Sequence, residues 1–273
     1  MPAEIRRQRM TIEEYHLLPF HPGWKVEYIH GEAVYWPREA CAYGTLPVSS
    51  QPARLMGGVA LRLLDSTDSP ALIELFRDAF SQSPEYAGWP GERFEEEARK
   101  VIADFLGGKR GARSDASRLA VLETAGPDDG AVIGAVLVVQ RDAGAAMLDV
   151  LMTVSAWRRR GVATALFAAA LSQLAACGGQ RLVSRWHLAN EESVAWHRKL
   201  GFIEEPDLFN AQLYLRAAKQ ELWRLEQLGE LTESRREPLL RRSEHWQREV
   251  TRLEALLDTG DKAAAFACHR FGS

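Results

Sequence analysis

The sequence predicts an α/β fold with a helix-and-hairpin extension ahead of the core and a helical hairpin behind it. Three observations carry this. Apolar stripes at helical spacing over 72–105 give way to strand-like runs over 119–154; a nearly uncharged segment opens at Gly161; and a three-four apolar spacing returns over 215–257. The expected organisation is an extension at 1–39, a linker at 40–57, a core at 58–207 and a helical extension at 208–273.

In the extension, Thr11-Ile12-Glu13-Glu14 reads as a capping box opening a short helix that stops near Pro19, and Trp24 to Trp36 reads as a hairpin about His30-Gly31. A linker rich in Pro, Ser and Gly begins near Ala40. The core opens with a strand, Val59-Ala60-Leu61-Arg62-Leu63. Asp68-Ser69-Pro70 then supplies a cap and a first-turn proline for a helix marked by Leu72, Leu75, Phe76, Ala79 and Phe80. A second helix carries Phe94, Ala98, Val101, Ile102 and Phe105 and stops at Gly107-Gly108. The basic stretch Lys109-Arg110-Gly111-Ala112-Arg113 is expected to be solvated. Leu119 to Glu123, Ala131 to Gln140 and Ala145 to Val154 are strand-like, separated by turn signals at Gly126-Pro127-Asp128-Asp129-Gly130 and Arg141-Asp142-Ala143-Gly144. At the back, Leu215, Ala218, Leu222 and Leu225 lead to Gly229, and Leu239, Ser243, Trp246, Val250, Leu253 and Leu257 follow. They describe two antiparallel helices, expected to pack on the core or on each other, with a homodimer or protein-partner interface as the alternative. The pattern leaves open whether 208–214 finish the sheet or begin the first of these helices.

Chemistry concentrates behind the strand that ends at Val154. Arg158-Arg159-Arg160-Gly161-Val162-Ala163-Thr164 makes a glycine-bearing turn into a helix, where backbone N–H groups without intrahelical partners and the positive end of the helix dipole can hold a diphosphate. Gly161 gives the permissive backbone, Ala163 keeps the approach clear, Thr164 adds a hydroxyl and the arginines add charge. Downstream, Asn190-Glu191-Glu192-Ser193 opens a helix that Gly201-Phe202 ends; Asn190 is a good N-cap.

The two stretches, R-x-x-G-x-A after a strand and Asn190 through His197 to Gly201-Phe202, resemble in order and separation two elements of the GNAT N-acetyltransferase superfamily. The resemblance covers about residues 58–205. It implies a mixed, mostly antiparallel central sheet flanked by helices, and an enzyme that moves an acetyl group from acetyl-CoA to a primary amine by direct transfer. It further implies that Leu151, Met152 and Thr153 offer backbone groups to the pantetheine arm, that Arg158, Arg159, Arg160, Gly161, Val162, Ala163 and Thr164 hold the pyrophosphate, and that Asn190 and Ser193 bond the arm. Where the family has a tyrosine that protonates the leaving thiolate, this chain has His197, whose imidazole, with an ordinary pKa of about 6.5, can donate or accept a proton. Packing or a phosphate contact is the alternative. Asp149, two residues before Leu151, is the candidate base; a paired strand-face carboxylate is the alternative. A catalytically weak CoA-binding module that recruits a partner through its helical tail is the competing reading of the whole chain. No residue names the amine.

Met10 to Pro19 together with Val26 to Glu32 resemble the start of the Uma-type endonuclease family, which has a PD-(D/E)xK nuclease fold. The likeness covers about 30 residues, and Glu27 alone cannot hold a metal, so a structural or docking hairpin is expected. Composition agrees with an enzyme: 273 residues can hold one good core with appendages, and 46% hydrophobic with 26% charged residues is ordinary for a globular chain. A net charge of −3 makes no case for nucleic acid. Cys41, Cys177 and Cys268 are too widely spaced to suggest a disulfide scaffold or a metal cluster, and with no secretory leader a reducing cytoplasm is expected. Gly161 to Gly179 carries Thr164, Ser172 and Gln173 and is alanine-rich, so it falls short of a membrane span and reads as a buried helix.

Overall fold

The computed structural model describes residues 2–54, 57–124, 126–141, 145–261 and 265–266. The expected turn at Asp142-Ala143-Gly144 and Cys268 lie outside them. Along the chain run β1 (Arg6–Arg9), α1 (Ile12–His16), β2 (Trp24–Ile29), β3 (Glu32–Pro37), β4 (Cys41–Pro47), β5 (Val59–Leu63), α2 (Ser69–Phe80), α3 (Gly91–Leu106) and β6 (Ala112–Arg113). Then follow β7 (Arg118–Leu122), β8 (Val132–Gln140), β9 (Ala145–Thr153), α4 (Val162–Ala176), β10 (Arg181–His187), α5 (Glu191–Leu200), β11 (Ile203–Glu204), α6 (Leu208–Gln227) and α7 (Glu233–Asp258). The fold is mixed α/β, with a mostly antiparallel sheet flanked by helices and a C-terminal helical region.

The chain forms two compact units, Met1–Ala3 with Thr45–Arg185 and Glu4–Gly44 with Trp186–Ser273. In the first unit the strands lie in the order β10-β9-β8-β7-β5, with β6 pairing β8. All pairs are antiparallel except β9 with β10, which is parallel. The core forms where the apolar stripes of α2 and α3, with Leu72, Phe76, Ile102 and Phe105, meet Leu119, Leu137 and Met152 of the sheet. Each such side chain, essentially withdrawn from water, contributes about 1.5–3 kcal/mol. Helix α4 is apolar nearly all round, as a helix buried on a sheet should be, and packs against β7, β8 and β9. Among the described residues no helix is long and apolar enough to cross a membrane.

In the second unit β1, β3 and β2 form a three-stranded antiparallel sheet. The β2–β3 turn places His30 at φ 51° and Gly31 at φ 82°, the pair of left-handed residues that a two-residue hairpin needs. Residues 208–214 begin α6: Asp207 caps it by accepting from Asn210 N–H at 2.9 Å. Helices α6 and α7 pair through Leu208, Ala211, Val250 and Leu253.

Three expectations need correction. The supposed linker opens with β4, in which Ala42, Tyr43 and Leu46 are buried, because withdrawing these apolar side chains from water is favourable and a solvated loop would leave them exposed. Asp68 does not cap α2; its carboxylate accepts from both Arg62 amino groups at 2.8 and 2.6 Å and from Asp65 N–H at 2.8 Å, while Asp65 caps the 3-10 turn before it. The basic stretch at 109–113 is not simply solvated: Lys109 pairs with Asp104 at 3.0 Å, Ala112 and Arg113 form β6, and Arg110 is bound to Asp149.

Candidate functional site

The strand-to-helix turn of the first unit is held from both sides. Val154 N–H donates to Ile133 C=O at 2.9 Å and ends the β9 ladder. A 3-10 turn, Ser155–Trp157, follows, and it is tied to the end of α2 by Ser155 N–H donating to the Asp78 carboxylate and by the Arg158 guanidinium donating to Ala79 C=O. The backbone then turns left-handed at Arg159 (φ 62°) and again at Gly161 (φ 85°), after which α4 starts with no side-chain cap on its first N–H groups. A non-glycine residue in that conformation costs on the order of 1–3 kcal/mol and persists because the flanking contacts fix it. A Cβ on Gly161 would meet nothing within 4 Å. So an uncapped helix start faces open space, rimmed by exposed Arg159 and Arg160, with the Arg160 guanidinium 5.0 Å over the Trp157 ring. Unpartnered donors, dipole and guanidinium groups all favour an anion there.

Gly134 on β8, opposite Thr153 of β9, sets the depth of that helix start. A Cβ at Gly134 would come within 2.9 Å of Val162 Cγ1, 3.0 Å of Leu166 Cδ1 and 3.1 Å of Met152 O, so only glycine lets the first turn of α4 seat on the sheet. Thr153 is buried, and its Oγ1 has no hydrogen-bond partner among the described residues. An orphaned hydroxyl beside an uncapped helix start is a donor set that fits a polar, phosphate-bearing ligand. The parallel β9–β10 register runs from Ala145↔Arg181 to Leu148↔Ser184, whereas β9 continues to Thr153. Leu151 is half-buried, and Met152 turns into the α2–α3 core.

Asp149 sits in a β-bulge: Val150 pairs with Leu137 and Leu148 with Val138, leaving Asp149 as the extra residue. Its side chain is 2% exposed and takes the Arg110 Nε donor at 2.9 and 2.7 Å and Nη2 at 2.8 Å. Local pattern does not reveal this pair, because the partners lie 39 residues apart and join only when β6 docks on β8. Gly134 did carry a signal, as an isolated glycine inside an apolar strand marks close backbone approach.

Thus Asp149, Leu151, Met152, Thr153 and Arg158 to Thr164 share one strand-turn-helix segment of the first unit. Asn190, Ser193 and His197 share α5 of the second. There Asn190 Oδ1 accepts from Ser193 N–H at 3.0 Å, with Glu191 and Glu192 in the first turn and Gly201 (φ 86°) at the end. His197 is buried, stacked on Trp186 with ring centroids 4.2 Å apart and edge-on to Phe202 at 5.0 Å. Its Nδ1 lies 2.7 Å from Ser193 C=O, and a carbonyl can only accept, so Nδ1 carries the proton in the neutral ring. Burial pulls its pKa down to about 4, opposed by that hydrogen bond. Among the described residues no group of three or more His, Cys, Asp or Glu side chains could hold a metal.

The model of the acetyltransferase (GNAT) domain matches residues 59–203, more than half of the chain. No curated protein matches. Among solved structures the chain is similar to a Drosophila protein, with 16% identity, 60% of this chain and 47% of that one covered and a TM-score of 0.40. It is similar to a GCN5-related N-acetyltransferase from Sphaerobacter thermophilus, with 20% identity, 62% and 50% covered and a TM-score of 0.41. A third is the PaiA N-acetyltransferase from Thermoplasma acidophilum in complex with coenzyme A, with 17% identity, 54% and 96% covered and a TM-score of 0.42. The chain spans about half the length of the first two, 47% and 50%.

Proposed function

The chain belongs to the acetyltransferase (GNAT) domain family, and we propose that it is an N-acyltransferase that moves an acetyl group from acetyl-CoA directly to a primary amine. The observation that supports this best is the uncapped, left-handed entry to α4 at Gly161 with its arginine rim. Backbone N–H groups of Val162, Ala163 and Thr164, with Arg158, Arg159 and Arg160, take the pyrophosphate. Leu151, Met152 and Thr153, on the part of β9 that outruns its β10 register, offer backbone groups to the pantetheine arm, and Thr153 Oγ1 gains a partner. Bound acetyl-CoA would supply a thioester: the lone pair of a neutral amine attacks its carbonyl carbon, the C–S bond breaks with the sulfur leaving as thiolate, and the proton shed by the nitrogen passes to water. Holding both reactants in one groove replaces a bimolecular encounter by an oriented one, the largest contribution such a site can make.

Proton handling differs from the simplest expectation. With a pKa of about 4 and Nδ1–H committed to Ser193, His197 is neutral at pH 7 and has no proton to give at Nε2. A thiolate, with a conjugate acid pKa of about 8.5, leaves without an acid partner more readily than an alkoxide would. His197 then serves packing, and Asp149 holds the Arg110 guanidinium.

Calorimetric titration with acetyl-CoA, followed by thiol release across a panel of amines, tests the reading. Saturable binding of one acetyl-CoA and amine-dependent thiol release are expected. A folded protein that binds no acetyl-CoA overturns it; binding without transfer to any amine would favour a CoA-binding module.

A further inference from the structure

Arg110 uses only one edge of its guanidinium on Asp149. The Nε and Nη2 donors face the carboxylate at 2.7–2.9 Å, the side-on geometry of the fork. The end-on edge, Nη1 with the remaining Nη2 proton, has no acceptor among the described residues, and the Arg110 side chain is 29% exposed while that of Asp149 is 2% exposed. A guanidinium pinned by a buried acid at a strand bulge, with a second bidentate edge open, is preorganised for another carboxylate. Asp149 lies on the strand that ends at the anion-binding turn, four residues before Thr153, on the order of 13 Å along the strand. Arg110 therefore meets that strand at its middle, four residues back from the turn, where the acyl group of a laid-out arm would lie.

The surroundings carry charge of both signs. Tyr86, in the aromatic group with Phe76, Phe80, Trp89 and Phe94, is held above its ordinary pKa first by burial and then by Glu85 and Glu97, while Arg110 and Arg185 act the other way. Its hydroxyl makes no hydrogen bond among the described residues. Cations and acids grouped about one half-buried phenol suit a ligand that itself bears both charges.

We propose that Arg110 is the acceptor-specificity residue of this protein: its open end-on edge binds a carboxylate of the amine substrate, so that the acceptor is an amino-acid-like zwitterion. This rests on the acyl-transfer reading above and names its substrate class. Asp149 is a positioning residue that fixes the fork.

The test uses the whole chain with CoA present and compares amino acids with their carboxamides, first by thermal shift and then by thiol release from acetyl-CoA. At least one acid should stabilise the protein and be acetylated with a KM about tenfold to a hundredfold below that of its amide, the range expected for a charge-assisted pair. Arg110→Lys keeps a cation for Asp149 but removes the fork; it should erase the acid-over-amide preference through KM with kcat little changed. A purely structural pair would leave the preference intact. Where Arg110→Lys fails to fold, the Arg110→Gln, Asp149→Asn double variant replaces it. Acids and amides acting alike, no shift by any acid, or a preference that survives both variants overturns the carboxylate proposal. Acetylation of amides alone would remove it and leave acyl transfer standing, whereas failure to bind acetyl-CoA would remove acyl transfer and leave the acid-induced shift to decide the Arg110 site.

Discussion

Two helices of this protein start in opposite ways. Helix α5 closes its own first turn: Asn190 accepts from Ser193 N–H, acidic residues sit on the positive end of the dipole, and His197 returns its Nδ1 proton to Ser193 C=O. Helix α4 closes nothing. It enters through Gly161 at φ 85° with no side-chain cap, carries no acid in its first turn and follows three arginines. A helix end that satisfies itself is worth stability and little else, whereas one left open keeps several kcal/mol of donor and dipole interaction in reserve for a ligand.

The largest effect should come from closing the open end. Gly161→Glu places a carboxylate on the dipole and forces a side-chain-bearing residue into the left-handed region, at about 1–2 kcal/mol. Because the new side chain meets open space, the fold should survive, while acetyl-CoA affinity measured by calorimetry falls at least about a hundredfold. Retained binding would remove the α4 start from the site.

Next comes acidification, which acts on α5. The folded-state pKa of His197, about 4, lies below its unfolded value near 6.5, so between those pH values the unfolded chain binds a proton that the folded one refuses. That stability is present above pH 6.5 and is lost as pH falls toward 4, by roughly 3 kcal/mol in all. Glu204, whose pKa burial raises, works in the opposite sense, so the difference between parent and His197→Phe isolates the histidine. Chemical denaturation at pH 7 and pH 5 should show a steeper loss for the parent. If the two slopes coincide, the depressed pKa is wrong.

A smaller change unseats α4 without touching its charge. Gly134→Val drives a side chain into Val162 and Leu166 and should cost about 1–3 kcal/mol of stability, with weaker acetyl-CoA binding, both measurable by melting with and without ligand. The smallest effect is expected at Asn190. Asn190→Ala should lower stability by about 1 kcal/mol and acetyl-CoA affinity by less than tenfold. A loss as large as that of Gly161→Glu would show that the self-closed helix is also a principal part of the cofactor site.

Much of the first unit was legible in the sequence because its elements keep one period each. The stripes of α2 and α3 and the continuous apolar runs of β7, β8 and β9 come out within a residue or two of the structure. The turn at Gly161 was legible for a different reason, since strand, glycine and helix are contiguous in the chain. What escaped was long-range or compositionally disguised. Strand β4 lies in a stretch bounded by Pro, Ser and Gly, and its Gly44 is there because a Cβ would strike the Trp186 ring at 2.6 Å, a contact across more than a hundred residues. β1 is exposed along its length, so it has no apolar alternation to read. Pro238 inside α7 masked a helix that begins at Glu233 rather than beyond the proline. Arg110 and Asp149 each look ordinary in sequence; only their meeting makes a site.

The second unit is assembled from the two ends of the chain, Glu4–Gly44 and Trp186–Ser273. Asn210 Nδ2 donates to Cys41 C=O at 2.9 Å, Glu205 N–H to Tyr43 C=O at 2.8 Å and Leu188 N–H to Ala40 C=O at 2.9 Å. On a ribosome, the first of these partners must wait for the second through more than a hundred residues of synthesis, roughly ten to thirty seconds at cellular elongation rates. A three-stranded ribbon with little core of its own is marginal over that interval. Birth order, more than final stability, is therefore what exposes the apolar side chains of Ala33, Val34 and Ala42 to wrong partners, and yield in a cell should respond to translation speed and chaperone supply before it responds to mutations in the well-packed first unit.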